Sequence, residues 1–506
     1  MRRGLGFLIL LVISGGAFAR KPLVVRIRVQ ADQVVRTMQG GIGASFHAME
    51  TPMGRRPSGG HIGGSAWGAN PPAEDEAAWQ SVYRHADWLG LDFCRVELEQ
   101  RMYEPQRRRF SWDNPEMRIL YRILDWAEKS KSDVFLQQMW SNIAWNAFPT
   151  LRDDAVGRAV SGPLTMDDFA HGLGELAEHL IRVKGYRSIR WLSITNEPGH
   201  DWSWWQGPDG KPLPLAPGLA AIRRELDRRG LDLPLSGPDW TDLPRLEPSR
   251  IDFDASLGAY DLHSYNAAFD GMNCGYPLSE AEERLSRWAR WAHERGKPLF
   301  LSELGTMAYG WRDDDPGPGL YESGLKDAAL VVRGIRAGVD GFNRWSFLNR
   351  GDLDGQWQLV DSWDIDEGRL RTAVTPHPNT YYLYGLLSRF TARHSGVLPV
   401  AIDPASEPGA RQLVTAALRS PKGNLTVLAV NETYRDVDAT LSVSGAVAKL
   451  FRYAITPAAR DQADVTVRPG AAFSTTAEFR DRIPALSVVV YSTYQLSPQD
   501  PGITAE

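Results

Sequence analysis

Two glutamates in this 506-residue chain close apolar runs at points where a sheet would meet a loop. The first run reads Trp191-Leu-Ser-Ile-Thr-Asn196-Glu197-Pro198 and the second Phe300-Leu-Ser302-Glu303-Leu304-Gly305. One acid at a strand end commonly serves as an ion-pair partner or cap. Two acids facing one cleft can divide the labour: one holds a proton for a departing oxygen, while the other stays ionised and attacks carbon. That is the minimum equipment for breaking a glycosidic bond. Other catalytic signatures are absent from the sequence. There is no G-x-S-x-G elbow, no H-E-x-x-H, no Walker loop and no dinucleotide fingerprint, so no cofactor and no metal is expected.

Short apolar runs must position these acids. They recur at 41–46, 91–96, 133–140, 189–196, 233–237, 259–265, 298–304 and 338–347. Amphipathic stretches predict helices between them, at 75–89, 116–129, 166–183, 219–229, 279–295 and 324–337. Eight strands alternating with helices imply a parallel sheet, and eight is the number that closes a (β/α)8 barrel. On pattern alone a doubly wound open sheet fits too. In a barrel, strand ends carry the active site, and three βα units separate Glu197 from Glu303. From about Val397 the texture changes to short β-rich segments with turn residues between them, which predicts a β-sandwich. The expected division is a signal peptide over 1–19, an N-terminal strand over 20–38 packing against the sandwich, a catalytic barrel over 39–396 and the sandwich over 397–506.

The strand-four Asn-Glu-Pro and strand-seven Ser-Glu resemble clan A of the glycoside hydrolases, retaining (β/α)8 β-glycosidases that include families 5, 30 and 39. The resemblance implies that Asn196 binds the substrate 2-hydroxyl, that Glu197 is the general acid/base and that Glu303 is the nucleophile. Arg95 resembles the clan's arginine beside the nucleophile. Asp261-Leu-His263-Ser-Tyr265 resembles the segment whose aromatic residue hydrogen-bonds the nucleophile, which implies Tyr265 in that role with His263 nearby. Trp345 resembles the platform under the −1 sugar, joined to Ser346 by a cis peptide. Segments 39–46 and 140–145, the latter carrying Trp140, look most like family 30. The chain departs from that family at Ser141-Asn142-Ile143 and around the nucleophile. Strand alternation would send Asn196 and Glu197 to opposite faces, so both reach one cleft only if the strand bulges or ends there.

The resemblance thus implies a glycosidase hydrolysing O-glycosyl bonds of an oligosaccharide, polysaccharide or glycoconjugate by double displacement. Long connections at 47–70 and 349–377 suggest a pocket and exo-action. A transglycosidase would use the same residues, and a non-catalytic carbohydrate binder would need only the aromatic ones. Eighteen tryptophans suit sugar stacking as well as core filling. Trp202, Trp204 and Trp205 are candidates for a pocket wall or for a packed loop.

A net charge of −5 with acids and bases interspersed gives no basic stripe for nucleic acid. Arg2 and Arg3, an apolar stretch and Ala17-Phe18-Ala19 read as a cleaved signal, which places the protein outside the cytoplasm without a membrane anchor. Cys94 and Cys274 are expected as free thiols, since one falls in a strand and the other in a distant loop. His47, His61, His200 and His377 are candidate site-lining residues or loop scaffolding. The acidic pieces 313–315 and 361–367 lack EF-hand spacing. Asn424 and Asn431 begin glycosylation sequons.

Overall fold

The computed structural model describes residues 21–48, 69–153, 158–200, 204–241, 243–265, 267–270, 275–307, 317, 319–348, 357–364, 367, 369–403, 409–445, 449–475, 478–497 and 502–505. The signal segment, His61, Trp202, Cys274 and the acidic piece 313–315 lie outside the described residues.

Eight parallel strands form one sheet: β1 (Ile42–His47), β2 (Phe93–Leu98), β3 (Asp133–Gln138), β4 (Ile189–Ser193), β5 (Ser236–Trp240), β6 (Ala259–Ser264), β7 (Leu299–Leu304) and β8 (Gly341–Arg344). Their spatial order is β4-β3-β2-β1-β8-β7-β6-β5. The two edges meet, because Leu192 bridges Leu235 and its N–H donates to the Pro234 carbonyl at 3.0 Å. The sheet is therefore a barrel, and the open doubly wound alternative falls away. Gly43 is needed where β1 crosses β2, since a Cβ there would sit 1.4 Å from the Phe93 carbonyl oxygen.

The helices lie close to where periodicity put them, and their ends follow capping chemistry. Glu76–Leu89 starts at Asp75, whose carboxylate accepts the Ala78 N–H, and Gly90 ends it in the left-handed region. Pro115–Ser130 starts at Asn114, which accepts the Met117 N–H, with proline at the first turn. The strand limits differ more. β4 stops at Ser193, three residues before the apolar run does. β5 begins at Ser236 instead of Leu233, because Leu233 and Leu235 are buried residues leading into it. The strand itself carries Gly237, Pro238 and Asp239, types that strands avoid. The connection after β8, read as a loop, contains an antiparallel hairpin of Val360–Asp364 with Arg369–Pro376.

Inside the barrel, Phe93, Phe135, Ala259 and Phe300 form a sealed cluster with Trp191 packed on it. The rings meet edge-on or tilted, with Phe93 to Phe300 at 4.8 Å and Trp191 to Phe300 at 4.9 Å. All except Phe135 and Trp191, the third residues of β3 and β4, come from the first two positions of their strands, so the plug fills the N-terminal end.

The sandwich has a four-stranded and a seven-stranded sheet. The N-terminal strand Leu23–Val29 lies in the smaller one, parallel to Val437–Val443 and antiparallel to Val400–Asp403. Its alternating burial marks an outer sheet with one wet face. Strands Leu413–Arg419 and Leu425–Asn431 are almost wholly buried, because one face meets the smaller sheet and the other meets barrel helices. Arg333, from helix Tyr321–Ala337, pairs across this junction with Glu432 at 3.0 Å. Asn431 is fully buried and donates to three carbonyls, so its sequon is no acceptor. Cys94 is a buried free thiol.

Candidate active site

The two glutamates reach the barrel mouth by different backbone devices. The chain leaves β4 at Ser193, and Glu197 then adopts a left-handed φ of +47°. Asp239, opposite it at the end of β5, has φ +56°, and its carbonyl accepts the Glu197 N–H at 3.1 Å. A non-glycine residue held there costs about 1–3 kcal/mol, and such residues gather at functional sites. This turn answers the alternation problem, since Asn196 and Glu197 both face the interior. On β7 a register shift against β6 falls between Leu262 and His263, pairing His263 with Glu303 and leaving Ser302 as the extra residue. The bulge re-aims Glu303 inward.

Glu197 and Glu303 therefore converge. One oxygen of each lies with an imidazole nitrogen of His263 in a group whose members are all within 4.8 Å of one another. Both glutamates are buried but open to the mouth, at 8% and 7% exposure.

Glu303 is held at both oxygens. Arg95 donates to Oε2 and the Tyr265 hydroxyl donates to Oε1. Arg95 also donates to Asn196 Oδ1 at 2.8 Å and to Glu97 Oε1 at 2.5 Å, and its own N–H is received by Asn343. Burial opposes a charge on Arg95, but Glu97, Glu303 and Asp239 outweigh it and keep the guanidinium charged. Burial likewise raises Tyr265, with Glu303 and Glu197 adding to the rise, so it remains a neutral donor. Burial pushes the Glu303 carboxyl up from its ordinary value, while the His263 and Arg95 cations pull it down.

Glu197 Oε1 faces His263 Nδ1 at 2.9 Å, and the other ring nitrogen faces Asp239 Oδ1 at 3.5 Å. His263 is fully buried, so it reaches the carboxylates from behind. Asp239 is in turn held by Ser193 and by Thr195 at 3.2 Å, and its N–H donates to Asp261 Oδ1 at 2.8 Å. Sequence reasoning missed Asp239. The visible signal was its place two residues past the fifth run, obscured by Pro238.

The Trp345–Ser346 peptide is cis, as the resemblance implies. Trp345 lies 5.7 Å from Trp357, which also meets the Tyr265 ring edge-on at 5.3 Å. Trp357 is a second missed residue, on the long connection already suspected of closing over the site. His47 pairs with Glu97 at 3.2 Å and meets Trp345 edge-on. Trp140 follows β3 half-buried, its carbonyl accepting from Gln100 and Gln138. Trp204 and Trp205 are sealed against Phe169 and each other, which makes them a packed loop and not a pocket wall. His200 is half-buried, its carbonyl accepting from Gln206, and His377 pairs with Asp361 in the hairpin at 3.2 Å. Asp364 caps the Glu367 N–H.

Glu197, His263 and Glu303 are spaced closely enough to surround a cation. The donor set argues otherwise, because Glu303 is saturated by Arg95 and Tyr265, and both imidazole nitrogens face carboxylates. Among the described residues, no helix is long and apolar enough to cross a membrane.

No protein-family model matches the sequence, and no curated protein does. Solved structures do match. A conserved exported protein from Bacteroides fragilis aligns at TM-score 0.66 and 13% identity, covering 92% of this chain and 100% of that one. A GH30 endoxylanase from Clostridium papyrosolvens C71 aligns at 0.59 and 12%, covering 92% and 99%. The fold is the one that this endoxylanase has. A GH51 α-L-arabinofuranosidase from Thermotoga petrophila RKU-1 shares it as well, at 0.58 and 14%, covering 93% and 100%. Identities this low establish the fold and leave the reaction to the geometry of the site.

Proposed function

We propose that the chain is a retaining β-glycoside hydrolase acting on an oligosaccharide, polysaccharide or glycoconjugate. The observation that carries this reading is the approach of Glu197 and Glu303 oxygens to within 4.8 Å at the barrel mouth. Double displacement needs carboxyl groups about 5–5.5 Å apart, whereas inversion needs about 6.5–9.5 Å to admit water. The solved relatives with this fold include proteins described as a xylanase, an arabinofuranosidase and an endo-β1,6-glucanase, which supports a carbohydrate substrate.

In the first step Glu303 forms a bond to the anomeric carbon, the bond to the leaving oxygen breaks, and Glu197 gives that oxygen its proton. In the second, Glu197 takes a proton from water, water oxygen bonds to the anomeric carbon, and Glu303 departs as a carboxylate. Arg95 and Tyr265 fix the attacking carboxylate, Asn196 meets the 2-hydroxyl, and Trp345 with Trp357 forms the aromatic side of the −1 site. His263 contributes from behind Glu197, out of reach of the sugar. The contacts of Trp357 with Tyr265 and Trp345 support the reading of a pocket with exo-action. The apolar stretch after Arg2 and Arg3 with Ala17-Phe18-Ala19 supports the reading that it works outside the cytoplasm.

The test is turnover of a panel of aryl β-glycosides by Glu303→Ala and Glu197→Ala. Loss of activity in both, with azide restoring Glu303→Ala to give a product of inverted configuration, is the expected result. Full activity in either variant ends the assignment.

A further inference from the structure

The deepest unexplained feature of the mouth is a line of three buried groups that leads away from the cavity. Glu197 Oε1, His263 and Asp239 follow one another at 2.9 and 3.5 Å, and the imidazole and Asp239 are fully buried. His263 Nε2 and Asp239 Oδ1 have no other hydrogen-bond partner among the described residues. Two buried orphan atoms facing one another are satisfied together when the proton lies on the nitrogen. Asp239 is also costly to place. It occupies a left-handed backbone position, follows the buried Pro238 and stands beside a second buried acid, Asp261. An aspartate held at such expense, one residue from the acid/base in space, calls for a role.

We propose that Asp239 is a positioning residue that keeps the His263 imidazole doubly protonated, and that this cation sets how readily Glu197 releases its proton. The proposal rests on the reading of Glu197 as the acid/base. Two carboxylates crowded in one buried site each resist ionisation, because neighbouring negative charge and lost hydration both favour the protonated form. A cation on the far side of Glu197 offsets this and favours the carboxylate that must exist between the two chemical steps. Once Glu303 is esterified its charge is gone, and Asp239 becomes the permanent partner that holds the imidazolium in place.

The charged groups around His263 agree in direction. Burial works against its charge, but Glu303 from β7, Asp239 from β5 and Glu197 beyond β4 push it up to about 10. Asp261, on its own strand, is raised well above its ordinary value by burial and by Asp239. Asp239 is itself lowered: burial resists, while His263, Arg95 from β2 and the Ser193 hydroxyl prevail. Tyr265 faces Glu303 as a neutral donor.

Asp239→Asn is the decisive variant, because asparagine keeps the shape and tolerates the left-handed backbone. With its counter-charge removed, the imidazole gives up its proton more easily, and Glu197 then holds its own more tightly. The basic limb of kcat/KM against pH is expected to move upward by about one unit. His263→Gln should move it the same way, and the double variant should move it no further than either single one. A limb that stays where the wild type has it, or shifts that add in the double variant, overturns the proposal. Should Asp239→Asn fail to fold, nitrogen NMR of the wild-type imidazoles at pH 8 decides, using His263→Gln for assignment. A doubly protonated His263 supports the proposal and a neutral ring sinks it. Full activity of Glu197→Ala would remove the parent reading, whereas an impaired Glu197→Ala with an unmoved Asp239→Asn limb removes only this one.

Discussion

The two ends of the barrel interior are made by the same strands and differ almost completely in chemistry. Along β2 the inward residues are Phe93, then Arg95, then Glu97, and along β7 Phe300 gives way to Glu303. The plug at the lower end is built from apolar side chains alone, so each ring there contributes about 1.5–3 kcal/mol by leaving water. The upper end buries Arg95, Glu97, Asp239, Asp261, His263, Glu197 and Glu303. Charges taken out of water are tolerated only when each finds partners, and even then they add little stability. One end supplies the rigidity that the other end uses to hold like charges close together.

Phe300 and Glu303 stand three residues apart on one strand, which makes them the sharpest test of that division. Glu303→Gln removes the proposed attacking group and is expected to lower kcat/KM by roughly 10⁴-fold or more, some 5–6 kcal/mol of activation free energy. Its melting temperature should move little, since the amide oxygen can still accept from Arg95 while its NH2 donates to the Tyr265 hydroxyl oxygen. A variant that melts early and retains much of its turnover would contradict the comparison. Phe300→Ala should do the reverse. Emptying the plug is expected to cost about 3–5 kcal/mol in denaturant unfolding, with activity per folded molecule largely kept.

This division also explains what could be read in the sequence. The barrel was legible because strands buried on both faces are continuous apolar runs, and helices between them repeat at 3.6 residues. The glutamates were legible as acids at strand ends. Their common orientation was not, because it depends on the turn at Glu197 and the extra residue Ser302, which alternation forbids and no residue type announces. Asp239 was hidden for a related reason: Gly237, Pro238 and Asp239 look like a turn, and they form the end of β5. Trp204 and Trp205 were ambiguous because tryptophan serves stacking and core packing equally well. Only the surrounding Phe169 decides between them.

A smaller effect probes a buried acid at the lower rim. Asp92, just before β2, accepts the N–H groups of Ile42 and Arg393. Burial raises its carboxyl to about 7, against the pull of the Arg393 N–H and guanidinium and with a push from Asp133. A folded-state value above that of the unfolded chain means that its stabilising share is complete below about pH 3.9 and is lost as pH rises toward 7. Asp92→Asn has no such titration. The melting temperature of the variant relative to the wild type should therefore climb across that window, by an amount worth on the order of 1–3 kcal/mol. A difference that is flat with pH would show that Asp92 is charged at ordinary cost, and that the lower end is less apolar in character than its rings suggest.

The mildest expected effect belongs to Trp357, which tests where the mouth stops being a charge network and becomes a sugar site. Its ring meets both Tyr265, which donates to Glu303, and Trp345, the proposed floor of the −1 site. A side chain that only packed the hairpin would, on truncation, change stability and leave kinetics alone. A side chain that forms part of the −1 wall contributes binding common to substrate and transition state, so Trp357→Ala should raise KM by about tenfold with kcat nearly unchanged. Trp357→Phe, which keeps an aromatic face over Tyr265, should recover most of that loss. If kcat falls instead while KM holds, Trp357 acts through the orientation of Tyr265, and the boundary between positioning network and sugar contact lies beyond Trp357.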